Sequence, residues 1–339
     1  MWRNTDVVSF VDWLHGYNLS LSSCEPAIGF YGLDLYSLFK SIDEVLHYLD
    51  KVDAEAARRA RSRYACFDHF GDDSQRYGHA AGLGLSASCE NAVVEQLRDL
   101  TARAADYLAR DGKNETDALF YAQQNVRLIV NAEQYYRTMF RGRVSSWNLR
   151  DRHMADTLDS LIQHLSRVIR KPAKIVVWEH NSHIGDARAT EIGQQGEWNV
   201  GQLARERYGG DAVLIGLTTY EGTVTAASDW DAPAERKRVR PALEESYEAL
   251  LHHAGVGNFI LPLRKANPAT QALSVGRLER AIGVIYRPES ERQSHYFYAN
   301  LPQQFDAVLH FDATRALEPL ERTSCWKTGE APETYPVGV

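Results

Sequence analysis

The chain has 339 residues, 44% hydrophobic and 24% charged, with a formal net charge of −7 and a pI near 6.0. That is average globular usage in a chain long enough to bury one large core or two ordinary ones. The acidic balance argues against a nucleic-acid partner, and no apolar run approaches the length of a membrane span.

The first residues, Met1–Asp6, lack the charged-then-apolar pattern of a signal peptide. Val7, Val8, Phe10, Val11, Trp13 and Leu14 then read as an amphipathic helix already under way, an expectation of missing upstream sequence. Residues 28–34 read as a short buried strand ending in the acid Asp34. Ser41 is placed to cap a helix through Val45 and Leu49, with Asp43 and Glu44 in its first turn. Asp53–Tyr64 predicts a second, charged helix, and the Gly-, Asp- and Ser-rich stretch 68–90 reads as a loop. Cys24, Cys66, Cys89 and Cys325 lie far apart with no CxxC pair, which predicts reduced thiols in a cytoplasmic protein.

Two long helices follow, one over Glu90–Ala109 and one carrying Leu119, Ala122, Val126, Ile129, Val130, Tyr136 and Phe140 at a helical period. A third opens at Asp151, with Met154, Leu158, Leu161, Leu165 and Ile169 on one stripe. From Lys174 the pattern changes. Strands are predicted over 174–179, 212–218, 258–263, 281–286 and 305–311, with helices over 199–208 and 246–254. Such alternation predicts an α/β fold with a mainly parallel sheet and helices on its faces. The 40–145 region reads as a helical insertion beside that sheet.

The most informative stretch runs from Ile175 to Arg188. An apolar run breaks off into His180-Asn181-Ser182-His183-Ile184-Gly185-Asp186, which reads as a buried strand delivering two imidazoles to a sheet edge. In an irregular turn His180 and His183 can converge on one water, metal or substrate oxygen, as general base and oxyanion donor. The structural alternative is that one ring holds the loop by hydrogen bonds. Asp34 occupies a similar strand-end place, with capping as its bland reading. Asp151 suits a helix N-terminus, and Arg150 suits either a nearby acid or a bidentate carboxylate or phosphate. There is no GxSxG elbow, no Gly-rich phosphate loop and no HExxH pair. A serine hydrolase, a dinucleotide-binding protein and a zincin are thereby disfavoured.

Several long motifs in one order resemble the erythromycin esterase-like family. They are Met1-Trp2-Arg3-Asn4, Phe30–Ser37, Arg63–Asp68, Trp147–Ala155, the His180–Asp186 block, Gly222–Ala227 and Glu289–Tyr296, spread over essentially the whole chain. The resemblance implies a three-layer α/β/α core with an added helical portion, in a single domain over residues 1–339. It also implies a cleft where a histidine activates water to open an ester, which in characterised relatives is a macrolide lactone. By the same resemblance His180 and His183 match the family's paired histidines. Arg150 would hold substrate or an acid, with Asp151 supporting it. Relatives also carry an upstream strand and a Gly-Glu-x-x-His general-base segment, and this chain begins beyond it.

The expectation is therefore a hydrolase that uses general-base water attack on a small-molecule carboxylic ester, with Asp34, Arg150, Asp151, His180 and His183 as its site and no cofactor or bound metal. Oligomeric state is not legible. The alternatives are a ligand-binding remnant or fragment without turnover, and metal-assisted hydrolysis through His180, His183 and Asp34, which needs three protein ligands.

Overall fold

The computed structural model describes residues 2–22, 25–71, 73–111, 116–140, 142–229, 232–322 and 326. The chain divides into two compact units, one formed by Met1–Phe30 with Trp178–Val339 and the other by Tyr31–Val177. Among the described residues no helix is long and apolar enough to cross a membrane.

The first unit starts with α1 (Thr5–Ser20), capped by Asn4, whose side chain accepts from the Val7 N–H. Only Leu14 of this helix is buried, and Val8, Val11, Trp13 and Tyr17 are exposed. Residues 318–320 return to it. Thr5 N–H donates to Glu318 O at 2.9 Å, and Leu320 N–H donates to Arg3 O at 3.0 Å.

The second unit is helical: α2 (Leu38–Val52), α3 (Ala54–Tyr64), α4 (Ser74–Gly82), α5 (Glu90–Ala102), α6 (Ala104–Asp111), α7 (Thr116–Thr138) and α8 (Arg143–Ile169). Its core is the sum of their apolar stripes: Leu38, Ile42, Val45 and Leu49 from α2 meet Val126 and Ile129 from α7. Burying such stripes against one another is what stabilises helices of this length. Ala56, Ala57 and Ala60 give α3 a small-residue face, and Asp53 caps it by accepting from the Ala56 N–H.

Several expectations are corrected here. The helix capped at Ser41 begins three residues earlier, at Leu38, and Ser41 is buried within it. The 68–90 stretch holds α4, because Asp73 supplies a cap to the Arg76 N–H. The predicted 90–109 helix breaks at Arg103, and the helix expected from Asp151 starts at Arg143. Cys66 and Cys89 are joined by a disulfide, so the reduced-thiol expectation fails for this pair. Linear spacing conceals that the start of α5 folds back to the end of α3, with Cα atoms 5.9 Å apart. Cys24 and Cys325 lie outside the described residues.

Returning to the first unit, short helices α9 (Asn181–Ile184), α10 (Glu191–Gln194) and α11 (Val200–Tyr208) precede β1 (Ile215–Ala226) and β2 (Glu235–Val239). Then come α12 (Tyr247–His252), β3 (Phe259–Pro262), α13 (Pro268–Leu273), β4 (Arg277–Arg280), α14 (Glu291–Ser294), β5 (Tyr296–Ala299), α15 (Leu301–Gln304) and β6 (Ala307–Thr314). The main sheet has the order β2-β1-β6-β3. β1 and β6 pair in parallel; β2 and β3 run antiparallel to their neighbours, as do β4 and β5 in a separate two-stranded sheet. The α/β class therefore holds, while the sheet is mixed where a mainly parallel one was expected. Hydrophobic pattern locates strands but does not state which neighbour each one meets. Leu214, Tyr247, Phe297, Leu301, Phe305 and Val308 form the core beside it.

Three predicted strands do not form ladders. Residues 174–179 form no strand, and Val176 is 94% exposed. Residues 28–34 form no strand, with Ile28 and Phe30 exposed. In 281–286 a single bridge, Ala227 to Ile285, is made, and the strand lies just upstream in β4. An apolar run becomes a strand only where a partner edge meets its backbone groups.

Candidate functional site

The turn that follows Glu179 is built by its own side chains. His180 is the N-cap of α9: its Nδ1 accepts from the Ser182 N–H at 3.2 Å and lies 2.9 Å from the Ser182 hydroxyl. Its Nε2 is 2.8 Å from the Ile282 carbonyl oxygen, which accepts only. Nε2 therefore carries the proton and Nδ1 the lone pair, so His180 is a neutral imidazole with both nitrogens engaged. Burial, then the neighbouring His183, pushes its pKa down to about 4, against the Ile282 bond.

His183 is buried at 8% exposure one turn further on, its N–H donating to His180 O at 2.8 Å. Asn181 fastens the turn to β1 in both directions: its Nδ2 donates to Leu217 O at 2.7 Å and its Oδ1 accepts from Leu217 N–H at 2.9 Å. Asn199, the cap of α11, donates from Nδ2 to Ser182 O at 2.8 Å. α11 can press this close because Gly201 has no side chain. A Cβ there would lie 2.2 Å from Ile184 O and 2.5 Å from Gly185 O. Asp186 holds Arg188 through two bonds, 2.9 and 2.6 Å, and closes the segment.

In the helical unit, Arg150 on α8 donates from Nε to Asp34 Oδ1 at 2.9 Å and from Nη2 to Oδ2 at 2.7 Å. The guanidinium also lies over the Tyr36 ring, 4.7 Å from its centroid, and the Tyr36 and Tyr135 hydroxyls are 3.2 Å apart. Burial disfavours the Arg150 charge, but the Asp34 bonds more than offset it and the group stays ionised. Asp151 faces inward at 0% exposure, and its charge adds to the field holding Arg150 charged. His153, two residues on, is also buried. Its Nδ1 lies 2.8 Å from Asn131 Nδ2, and burial pushes its pKa down to about 4. It lines a cleft of about 160 Å³ with Gln124, Arg127, Asn131, Asp156 and Thr157.

Thus the predicted residues fall into two constellations, Asp34 with Arg150 and Asp151 in the helical unit, and His180 with His183 in the sheet unit. Sequence reasoning missed Asn181 as the fastener, although an Asn opening a one-turn helix between two histidines was a visible signal. Tyr135 carried none, since it meets Tyr36 only across the fold. Among the described residues no group of three or more His, Cys, Asp or Glu stands close enough to hold a metal ion.

The erythromycin esterase family model matches residues 1–314, taking in the Arg150 helix, the His180–His183 turn and the whole sheet. The chain belongs to the erythromycin esterase family. Solved structures agree at the level of fold. A succinoglycan biosynthesis protein superposes with a TM-score of 0.74 at 20% identity, over 94% of this chain and 73% of that one. A Bacillus cereus protein gives 0.73 at 18% identity, over 94% and 74%. A mutant of the erythromycin esterase EreC in its open conformation gives 0.63 at 16% identity, over 93% and 73%. Identities this low carry the fold of the erythromycin esterase family and not a substrate.

Proposed function

We propose that this protein hydrolyses a carboxylic ester or lactone of a small molecule by general-base attack of water. The observation that carries the reading is the pinned imidazole turn, in a chain whose residues 1–314 match the erythromycin esterase family. His180, both of whose nitrogens engage Ser182 and Ile282, acts by holding the turn, and we assign proton transfer to His183 as the second histidine of the block that resembles the family's paired histidines. Arg150, its Nε and Nη2 held by Asp34, keeps a fixed positive charge in the helical unit, supported by Asp151, that suits a carbonyl or carboxylate group of a ligand. A macrolide lactone belongs to this substrate class, and resistance to such an antibiotic would be the cellular consequence of that activity.

The test is hydrolysis of a panel of macrolactones and simple esters by the wild type, His183→Asn and Arg150→Ala. Loss of a general base typically costs about 10²–10⁴-fold, so His183→Asn is expected to lower kcat by that order. Arg150→Ala is expected to raise KM. A His183→Asn variant that turns over at the wild-type rate would remove His183 from the chemistry. No hydrolysis of any ester by the wild type would overturn the enzyme reading.

The engaged state of His180 favours a second reading, a protein that binds the ligand without turnover. A ligand-dependent rise in thermal midpoint with no product formed would carry that reading instead.

A further inference from the structure

Behind the imidazole turn lies a pair of carboxyl groups that no role described so far uses. Glu279, on β4, is 0% exposed, and Glu248, on α12, is 1% exposed. Neither oxygen of the Glu279 carboxyl has a hydrogen-bond partner, nor does Glu248 Oε2. Glu248 Oε1 accepts from the Arg280 N–H at 3.0 Å. The Arg280 side chain is committed elsewhere, to the carbonyls of Thr219, Tyr220 and Arg240 and to Glu291. An ionised carboxylate in a dry interior, with no well-aligned donor and beside a second carboxyl, is strongly disfavoured. A neutral acid does not.

Beside Glu279 lies an acceptor with the complementary defect. Gln304 Oε1, on α15, is buried and receives no hydrogen bond. The amides of Gln304 and Asn181 flank the Glu279 carboxyl, with Glu248 and Tyr247 facing it from α12. One proton on Glu279 would satisfy both orphaned groups. Burial, then the neighbouring Glu248, pushes Glu279 up to about 8, against the pull of the Gln304 and Asn181 amides, which favour the charged form.

The residues that carry the two amides also fix the ends of the turn, Asn181 through its side chain and Gln304 through its backbone carbonyl. Asn181 ties its start to Leu217. The Gln304 carbonyl accepts from the Asp186 N–H at 3.0 Å, and its side chain packs so closely on Gly185 that a Cβ there would lie 2.8 Å from Gln304 Cγ and Nε2. We propose that Glu279 is a neutral carboxylic acid at neutral pH, donating its proton to Gln304 Oε1, and that it is a positioning residue for the His180–His183 turn. This goes beyond the hydrolase reading and does not require it.

Glu279→Gln keeps the shape and a donor but cannot titrate, so it separates the proton from the packing. Thermal midpoints of wild type and E279Q are compared from acid to alkaline pH. The unfolded carboxyl ionises near 4.5 and the folded one keeps its proton to about 8. The wild-type midpoint is therefore expected to fall by several degrees relative to E279Q across that interval and to run parallel above it. Parallel curves throughout, or a gap opening toward acid, would overturn the neutral acid.

Positioning is read by amide hydrogen exchange at Gly185 and Asp186. Glu279→Ala is expected to speed exchange there at least tenfold while E279Q leaves it near the wild-type rate. Unchanged exchange in E279A, or equal acceleration in E279Q, would overturn the positioning role. Neither arm depends on turnover, so a failed hydrolase assay leaves both results readable.

Discussion

Asp34 and Arg150 meet side-on across 116 residues of sequence, each guanidinium N–H on its own carboxylate oxygen, at 2.9 and 2.7 Å. The pair is partly shielded, with side-chain exposures of 37% for Asp34 and 20% for Arg150, and the Tyr36 ring backs the guanidinium. Bidentate geometry of this kind exceeds an ordinary surface ion pair in both strength and direction.

Asp34→Asn is therefore expected to destabilise the protein by about 1–2 kcal/mol, because a part-buried guanidinium loses its counter-charge. Arg150→Lys is expected to lose a similar amount, since a point charge cannot reproduce the fork. Urea unfolding of the two single variants and the double variant, read as a cycle, measures the coupling. Additive losses would show that the two side chains do not support each other.

Acid should weaken the fold through its buried neutral histidines. His153 and His180 both fall from 6.5 to about 4, chiefly through burial. Between those values the unfolded chain takes up protons that the folded chain refuses, so stability is lost as pH falls through that window. Each group contributes roughly 1.4 kcal/mol per pH unit there. His153→Gln should flatten the acid limb of a pH–stability curve measured by denaturant unfolding, and an unchanged limb would exclude His153 as a contributor.

The Cys66–Cys89 disulfide closes a 23-residue separation between the end of α3 and the start of α5. By the loop-entropy account such a crosslink contributes about 3 kcal/mol. Reduction, or replacement of both cysteines by serine, should lower the thermal midpoint by several degrees. Equal midpoints with and without reductant would mean that the bond adds no stability.

Gly201→Ala places a methyl group 2.2 Å from Ile184 O, and backbone on both sides leaves little room to give. The expected cost is roughly 2–4 kcal/mol, together with displacement of the His180–His183 turn. Calorimetry measures the first and histidine ring NMR the second. Gly210→Ala, where nothing lies within 4 Å, is the control.

The legible part of this chain was its periodicity. Met154, Leu158 and Leu161 announced α8, and Leu119, Val126 and Ile129 announced α7, because a helix makes its own hydrogen bonds and needs a neighbour only to bury its stripe. The paired imidazoles, Arg150 and Asp34 also stood out by residue type. Their partners did not: Arg150 finds Asp34 116 residues away, and His180 finds the Ile282 carbonyl 102 residues away.

Strands show the difference most sharply. Lys174–Glu179 has the composition of a buried strand and yet forms no ladder, whereas the charged Glu235–Val239 does, antiparallel to β1. Hydrogen bonds in a sheet belong to two segments at once, so one segment's residues cannot decide them. Glu279 makes the same point in the site. Nothing about a Glu between Leu278 and Arg280 foretells an enclosed acid; its complete burial and the presence of Glu248 do. The order of the residues determined the helices, the family motifs and which side chains could do chemistry. The tertiary structure decided strand direction, the disulfide and the protonation of the buried groups, because each depends on what another part of the chain places within a few ångströms.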